Sequence, residues 1–161
     1  LWYDLDLPEV IAARKQFFPE QDRVRLIAKS ALDPDWPLEV ETRAKTIILI
    51  EGMLMYLKEE EVKKLLQIIK NNFGSCVILA ELMPPRSAKS SKYHDTIKNT
   101  TATFNWGVKD GKEVEKLCTG LKFIEEKSFN CEMKKYSFRG KLFASLPVIR
   151  DFNNRLAVFA L

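Results

Sequence analysis

Trp2-Tyr3-Asp4-Leu5-Asp6-Leu7-Pro8-Glu9-Val10 has a counterpart later in the chain, Ile50-Glu51-Gly52-Met53-Leu54-Met55-Tyr56-Leu57. Each stretch reads as a short apolar strand that ends in a carboxylate and gives way to a helix. In an open α/β sheet, ligands bind outside the carboxyl ends of the strands. A carboxylate at such an end can accept both hydroxyls of a ribose, and Asp6 stands there. Glu51 ends the later strand and faces the same crevice. Pro8 suits the first turn of a helix, where its missing N–H costs nothing. Asp6 has a second reading as the cap of that helix. Glu51, beside Gly52, has one as an ordinary loop carboxylate.

Outward from these stretches the elements alternate. The pattern predicts a strand over Val24 to Ala28, a turn-rich loop through Asp33-Pro34-Asp35-Trp36-Pro37, and a strand over Thr46 to Ile50. The aliphatic and β-branched run of that strand is expected of a parallel strand covered on both faces. Lys58 to Asn72 follows as a helix, with Val62, Leu65, Leu66, Ile68 and Ile69 recurring at spacings of three and four. Cys76 to Leu82 is the next buried strand, closed by Pro84-Pro85. This rhythm predicts a parallel sheet with helical crossovers. Beyond Pro85 the pattern loosens. A helical stretch is expected over Arg86 to Asn105, a helix over Gly111 to Leu121, a strand over Phe123 to Phe129, a helix over Phe143 to Asn153 and a terminal strand over Leu156 to Leu161.

The 161 residues suffice for one domain, and the 46% hydrophobic and 30% charged fractions are ordinary for a globular protein. A net charge of +4, spread over scattered lysines, gives no nucleic-acid stripe. The Lys63-Lys64 and Lys134-Lys135 pairs have glutamates nearby and read as solvated faces. No apolar run is long enough for a membrane span, so no membrane partner is expected. Cys76, Cys118 and Cys131, an odd count without a close pair, fit a reduced cytoplasmic compartment better than a disulfide framework. Metal-ligand spacing is absent and His94 is the only histidine. It reads as an exposed helix residue.

The opening stretches resemble the leucine carboxyl methyltransferase / polyketide O-methyltransferase family, of the tetracenomycin type, which uses S-adenosylmethionine. Asp6-Leu7-Pro8-Glu9-Val10 is similar to its second-strand signature, roughly E-V-D-L-P-E-V. Glu51-Gly52-Met53-Leu54-Met55-Tyr56-Leu57 is similar to its fourth-strand signature, roughly E-G-V-L-M-Y-L. Arg25-Leu26-Ile27-Ala28 with Asp33-Pro34-Asp35-Trp36 resembles the third-strand segment, and Leu57 to Val62 the start of the next helix. Phe104-Asn105-Trp106-Gly107 and Asp110-Gly111-Lys112 resemble the region covering the substrate pocket in the small-molecule branch. The likeness to the protein-carboxyl branch is weaker there. A nicotinamide dehydrogenase would also use an acid after its second strand, but the later segments do not match one.

The resemblance implies an α/β fold of the class I methyltransferase, Rossmann-like type, with helices on both faces. It implies S-adenosylmethionine as cofactor, bound by Asp6, Leu7, Ser30, Ala31, Glu51 and Gly52. Ser30 aligns where many members carry the Asp that holds adenine, so that task falls to its hydroxyl or to the backbone of Ala31. Tyr56, Arg86, Tyr93 and Trp106 are the implied substrate contacts. Tyr56 and Trp106 have alternative readings as packing residues. No catalytic nucleophile and no metal are implied. Residues 1–85 would form the cofactor side, 86–122 the substrate cover and 123–161 the terminal strands. The expected reaction is O-methylation of a small-molecule carboxylate or hydroxyl. The alternative is an inactive remnant or subunit that needs a partner chain.

One consequence is sharp. In this fold the strands run 3-2-1-4-5-7-6, and the family's first strand carries a glycine-rich loop. This chain has no such loop before Asp6 and reads as the C-terminal part of a longer protein. Without that strand the sheet should split in two and expose apolar edges. The segment would come from another chain, from a cleaved but bound piece, or from a part of the protein outside these residues.

Overall fold

The computed structural model describes residues 1–18, 20–41, 45–89, 102–130, 135, 136, 138, 141 and 153–161. The strands are β1 (Trp2–Asp6), β2 (Val24–Ala28), β3 (Thr46–Ile50), β4 (Cys76–Leu82), β5 (Lys122–Ser128) and β6 (Arg155–Ala160). The helices are α1 (Pro8–Phe17), α2 (Glu59–Asn72) and two short ones, α3 (Pro85–Lys89) and α4 (Gly111–Glu115). The described strands form two separate sheets. One is the parallel pair β1-β2, and the other has the order β3-β4-β6-β5. β3 and β4 are parallel, while β6 runs antiparallel between β4 and β5. The split falls where the first strand of the expected order would lie.

The sequence explains the larger sheet. α2 starts where the Glu61 carboxylate accepts the Lys58 amide at 2.7 Å, satisfying a donor the helix leaves unpaired. Its apolar stripe Val62, Leu65, Leu66 and Ile69 is buried in one cluster with Ile50, Ile78, Leu82 and Phe159. Burial of each such side chain contributes roughly 1.5–3 kcal/mol. Strand alternation sends the neighbouring residues the other way. On that opposite face Ile47 is 72% and Leu49 48% exposed, and Val77 is exposed as well. Among the described residues α2 lies on one face of β3 and β4, and no described helix lies on the other.

The two sheets are joined by side chains. Trp36, on a 3₁₀ turn spanning Trp36–Glu39, stacks on Phe73 with centroids 5.5 Å apart. Its indole N–H donates to the Ala31 carbonyl at 3.1 Å, and the Tyr3 hydroxyl accepts the Glu41 amide at 3.1 Å. Between the free edges of β1 and β3 lies a cavity of about 520 Å³, lined by Leu1, Trp2, Trp36, Ile47, Leu49 and Phe73 among others.

Two expected helices do not reach their expected ends. Residues 102–108 have no regular structure, and three of their amides serve distant carbonyls. Asn105 and Trp106 both donate to Met55, at 2.8 and 3.2 Å, and Val108 donates to Met83 at 2.8 Å. Gly107 permits this path, since a Cβ there would lie 2.9 Å from the Ala88 Cβ and 3.0 Å from the Pro84 carbonyl oxygen. α4 starts with the Asp110 carboxylate accepting the Glu113 amide and ends at Glu115, well before Leu121. The expected helix over Phe143 to Asn153 lies outside the described residues apart from Asn153, as do Pro19, Tyr93, His94 and Cys131.

Cys76 and Cys118 are buried free thiols, and burial pushes both above the ordinary thiol range. The thiolate is the reactive form. Alkylation near pH about 8, read peptide by peptide in a mass spectrometer, is expected to spare both until denaturant is added. Rapid labelling of either in the native protein would contradict the packing.

Candidate functional site

Asp6 ends β1 in an exposed position. One of its carboxylate oxygens accepts the Leu7 amide at 2.8 Å, and the other has no partner among the described residues. The helix-cap reading of Asp6 is not what the structure adopts. The N-cap of α1 is Leu7, it makes no side-chain cap bond, and its carbonyl accepts the Val10 and Ile11 amides. Asp6 lines a cavity of about 430 Å³ with Asp4, Val10, Arg14 and Phe17, where Arg14 pairs with Asp4 at 2.5 Å.

Beyond β2 the chain turns tightly through Ser30. The Ser30 hydroxyl accepts the Leu32 amide at 3.2 Å, and its carbonyl accepts the Asp33 amide at 3.0 Å. Among the described residues the hydroxyl donates to no acceptor. The Ala31 carbonyl is taken by Trp36, so of its backbone only the amide remains for a ligand. Lys29 pairs with Glu39 at 2.9 Å, and this contact raises the lysine above its ordinary range.

Beyond β3, Glu51 is exposed and its carboxylate has no partner among the described residues. Gly52 takes φ +63°, a left-handed conformation that glycine adopts without a Cβ penalty. Its amide donates to Glu81 on β4 at 2.9 Å. The segment after it is fixed from the other side, where the Asn105 side chain donates to the Tyr56 carbonyl at 2.7 Å. Tyr56 is half-buried against Phe104, with centroids 5.4 Å apart. Trp106 is 8% exposed and joins the main apolar cluster. Arg86 is exposed on α3, just past the carboxyl end of β4.

The structure thus brings Glu51, Gly52, Tyr56 and Trp106 into one neighbourhood through the Met55 and Tyr56 carbonyls. Asp6, Leu7, Ser30 and Ala31 sit at the ends of the other sheet. Asn105, from the Phe104–Gly107 motif, organises the first group together with Glu81 and Asn154, which no sequence motif marks. Glu81 reads as one residue of a buried strand, and only its partners reveal its role.

This arrangement is the fold of the class I S-adenosylmethionine-dependent methyltransferases. The structure superposes on a candidate methyltransferase from Thermobifida fusca with a TM-score of 0.64 at 12% identity, over 98% of this chain and 61% of that one. The chain is also 29% identical over 125 residues to the tetracenomycin polyketide synthesis O-methyltransferase TcmP of Streptomyces glaucescens, covering 78% of this chain and 46% of that protein. It is 28% identical over 137 residues to the S-adenosyl-L-methionine-dependent methyltransferase dpfgK of Gibberella zeae, with the same 78% and 46% coverage. These relatives support the resemblance to the polyketide O-methyltransferase family. The chain spans about half the length of the curated relatives it matches. No protein-family model matches it. No described helix is long and apolar enough to cross a membrane.

Proposed function

We infer that this chain carries the ribose- and sulfonium-facing part of an S-adenosylmethionine-dependent O-methyltransferase acting on a small molecule. The observation that carries the reading is the pair of exposed strand-end carboxylates, Asp6 and Glu51, each with an oxygen that has no partner among the described residues, on a methyltransferase fold. The donor set fits the cofactor. The free oxygen of Asp6 suits the ribose hydroxyls, the Ser30 hydroxyl and the Ala31 amide suit adenine, and Glu51 suits a cation. When bound, S-adenosylmethionine supplies the methyl group: the sulfur–methyl bond breaks with its electron pair left on sulfur while an acceptor oxygen forms the new bond.

The residues' share is positioning. Holding reactants in line is worth roughly 7–11 kcal/mol of barrier. A carboxylate acceptor is already ionised and needs no base, whereas a phenol would need one. Arg86 is the residue suited to an acidic acceptor, because a guanidinium pairs with carboxylate through two hydrogen bonds. Tyr56 offers a half-buried ring for the acceptor's apolar part. The stretch 86–122 would form the cover, and the unpaired cysteines fit the cytoplasm.

The divided sheet supports a second reading, in which the chain is an inactive remnant or a subunit whose sheet is completed by a further segment on the same or another polypeptide. Calorimetric titration with S-adenosylmethionine separates the two. The enzyme reading expects micromolar binding that weakens about tenfold to a hundredfold in Asp6→Asn, the worth of a hydrogen bond to a charged group. A folded chain that takes up no cofactor is the remnant.

A further inference from the structure

Glu81 is an odd residue for its strand. β4 is otherwise apolar, and a half-buried carboxylate is costly without hydrogen-bond donors. Among the described residues Glu81 has two, and neither is a cation. One oxygen accepts the Gly52 amide at 2.9 Å and the other accepts the Asn154 side-chain amide at 2.6 Å. Gly52 follows β3 and Asn154 precedes β6. β6 is antiparallel to β4, so its start lies at the carboxyl end of β3 and β4. One side chain therefore ties together three strand ends on the ligand side of the sheet. The site is braced from behind as well, since the Asn153 side chain donates to Asn130 and the Phe129 amide donates to the Asn154 carbonyl at 3.0 Å.

The register gives this clamp a consequence. Ile50, the last residue of β3, pairs with Ala80, so Glu51 leaves β3 where β4 passes from Ala80 to Glu81, and Gly52 after it is bonded to Glu81. Glu51 is followed by the left-handed turn at Gly52, whose direction is fixed by the bond to Glu81. Two carboxylates at one strand end, one clamped and one without a partner among the described residues, make it a place for positive charge.

We propose that Glu81 is the positioning residue that aims Glu51, and that the pair makes the site select a cationic over a neutral form of its ligand. The proposal rests on the methyltransferase reading, where the cation is the sulfonium and the neutral form is the demethylated product. Glu81→Ala removes the acceptor. Glu81→Gln keeps an acceptor for Gly52 but sets one amide group against another at Asn154. The double variant Glu81→Gln/Asn154→Asp restores a donor–acceptor pair with the same total charge.

Two measurements on the 161-residue chain test this. Amide exchange read by NMR should speed up about tenfold or more at Gly52 in Glu81→Ala while the β4 amides keep their protection, and the double variant should restore it. Calorimetric affinities should show the preference for S-adenosylmethionine over S-adenosylhomocysteine falling about fivefold or more in Glu81→Ala. No further fall should occur when Glu81→Ala is added to Glu51→Gln, because both act on one interaction. A merely structural role would weaken both ligands alike. Unchanged Gly52 exchange, an unchanged preference, or full additivity with Glu51→Gln overturns the proposal. If the unaltered chain binds neither ligand, the methyltransferase reading falls, and the clamp itself stands or falls on Gly52 exchange alone.

Discussion

Trp36→Ala is expected to destabilise the protein by about 3–5 kcal/mol, the usual cost of deleting a buried aromatic side chain. That is a large part of the roughly 5–15 kcal/mol that keeps a domain folded. The loss should be local. Among the described residues no ladder hydrogen bonds connect β1-β2 to the larger sheet; side-chain packing joins the two, and Trp36 is central to it. The substitution removes the stack on Phe73 and the bond to the Ala31 carbonyl together. Hydrogen exchange followed by mass spectrometry should show β1 and β2 losing protection while β4 and β6 keep theirs. Equal loss in all strands would mean the two sheets open as one unit, and the joint described above would be wrong.

The strands were legible in the sequence where the local signal and the tertiary outcome agree. Val24–Ala28, Thr46–Ile50 and Cys76–Leu82 are runs of aliphatic or β-branched residues bounded by charge or turn residues, and they form strands with those limits. The stripe of α2 was equally plain. The division of the sheet could be anticipated because it follows from strand order. What could not be read locally was whatever depends on distant partners. Asn105 was expected to close a helix, but its amide goes to Met55, and no local pattern encodes that bond. Glu81 was passed over because its partners lie 29 and 73 residues away along the chain. Asp6 is instructive in the other direction. Its position before Pro8 suits a cap, yet the backbone of Leu7 takes that place and leaves a carboxylate oxygen open. Tyr56 and Trp106 were each given a packing reading and a wall reading. Half-burial keeps both open for Tyr56, and Trp106 sits in the core.

The chain by itself is expected to self-associate weakly, and Ile47→Lys/Leu49→Lys should abolish the association. Both residues line the cavity between the free edges of β1 and β3, beside the exposed Leu1 and Trp2. Unpaired edges with apolar side chains recruit other strands, and lysine is a common way to blunt them. The magnitudes decide how strongly. Fully burying an exposed aliphatic or aromatic side chain gains roughly 1.5–3 kcal/mol. Four half-exposed ones therefore offer on the order of 3–6 kcal/mol. Joining two molecules costs about 4–15 kcal/mol before any contact is counted. Backbone pairing adds only about 0.5–1.5 kcal/mol net per bond. Sedimentation velocity should thus find monomer at low micromolar concentration and reversible association only at about a hundred micromolar or above. A strand tethered to the same polypeptide avoids most of the joining cost, with an effective concentration in the millimolar range. The slot should accordingly accept such a strand far more readily than a second copy of the chain. Tight dimers at nanomolar concentration, or association untouched by the two lysines, would show that some other surface governs assembly.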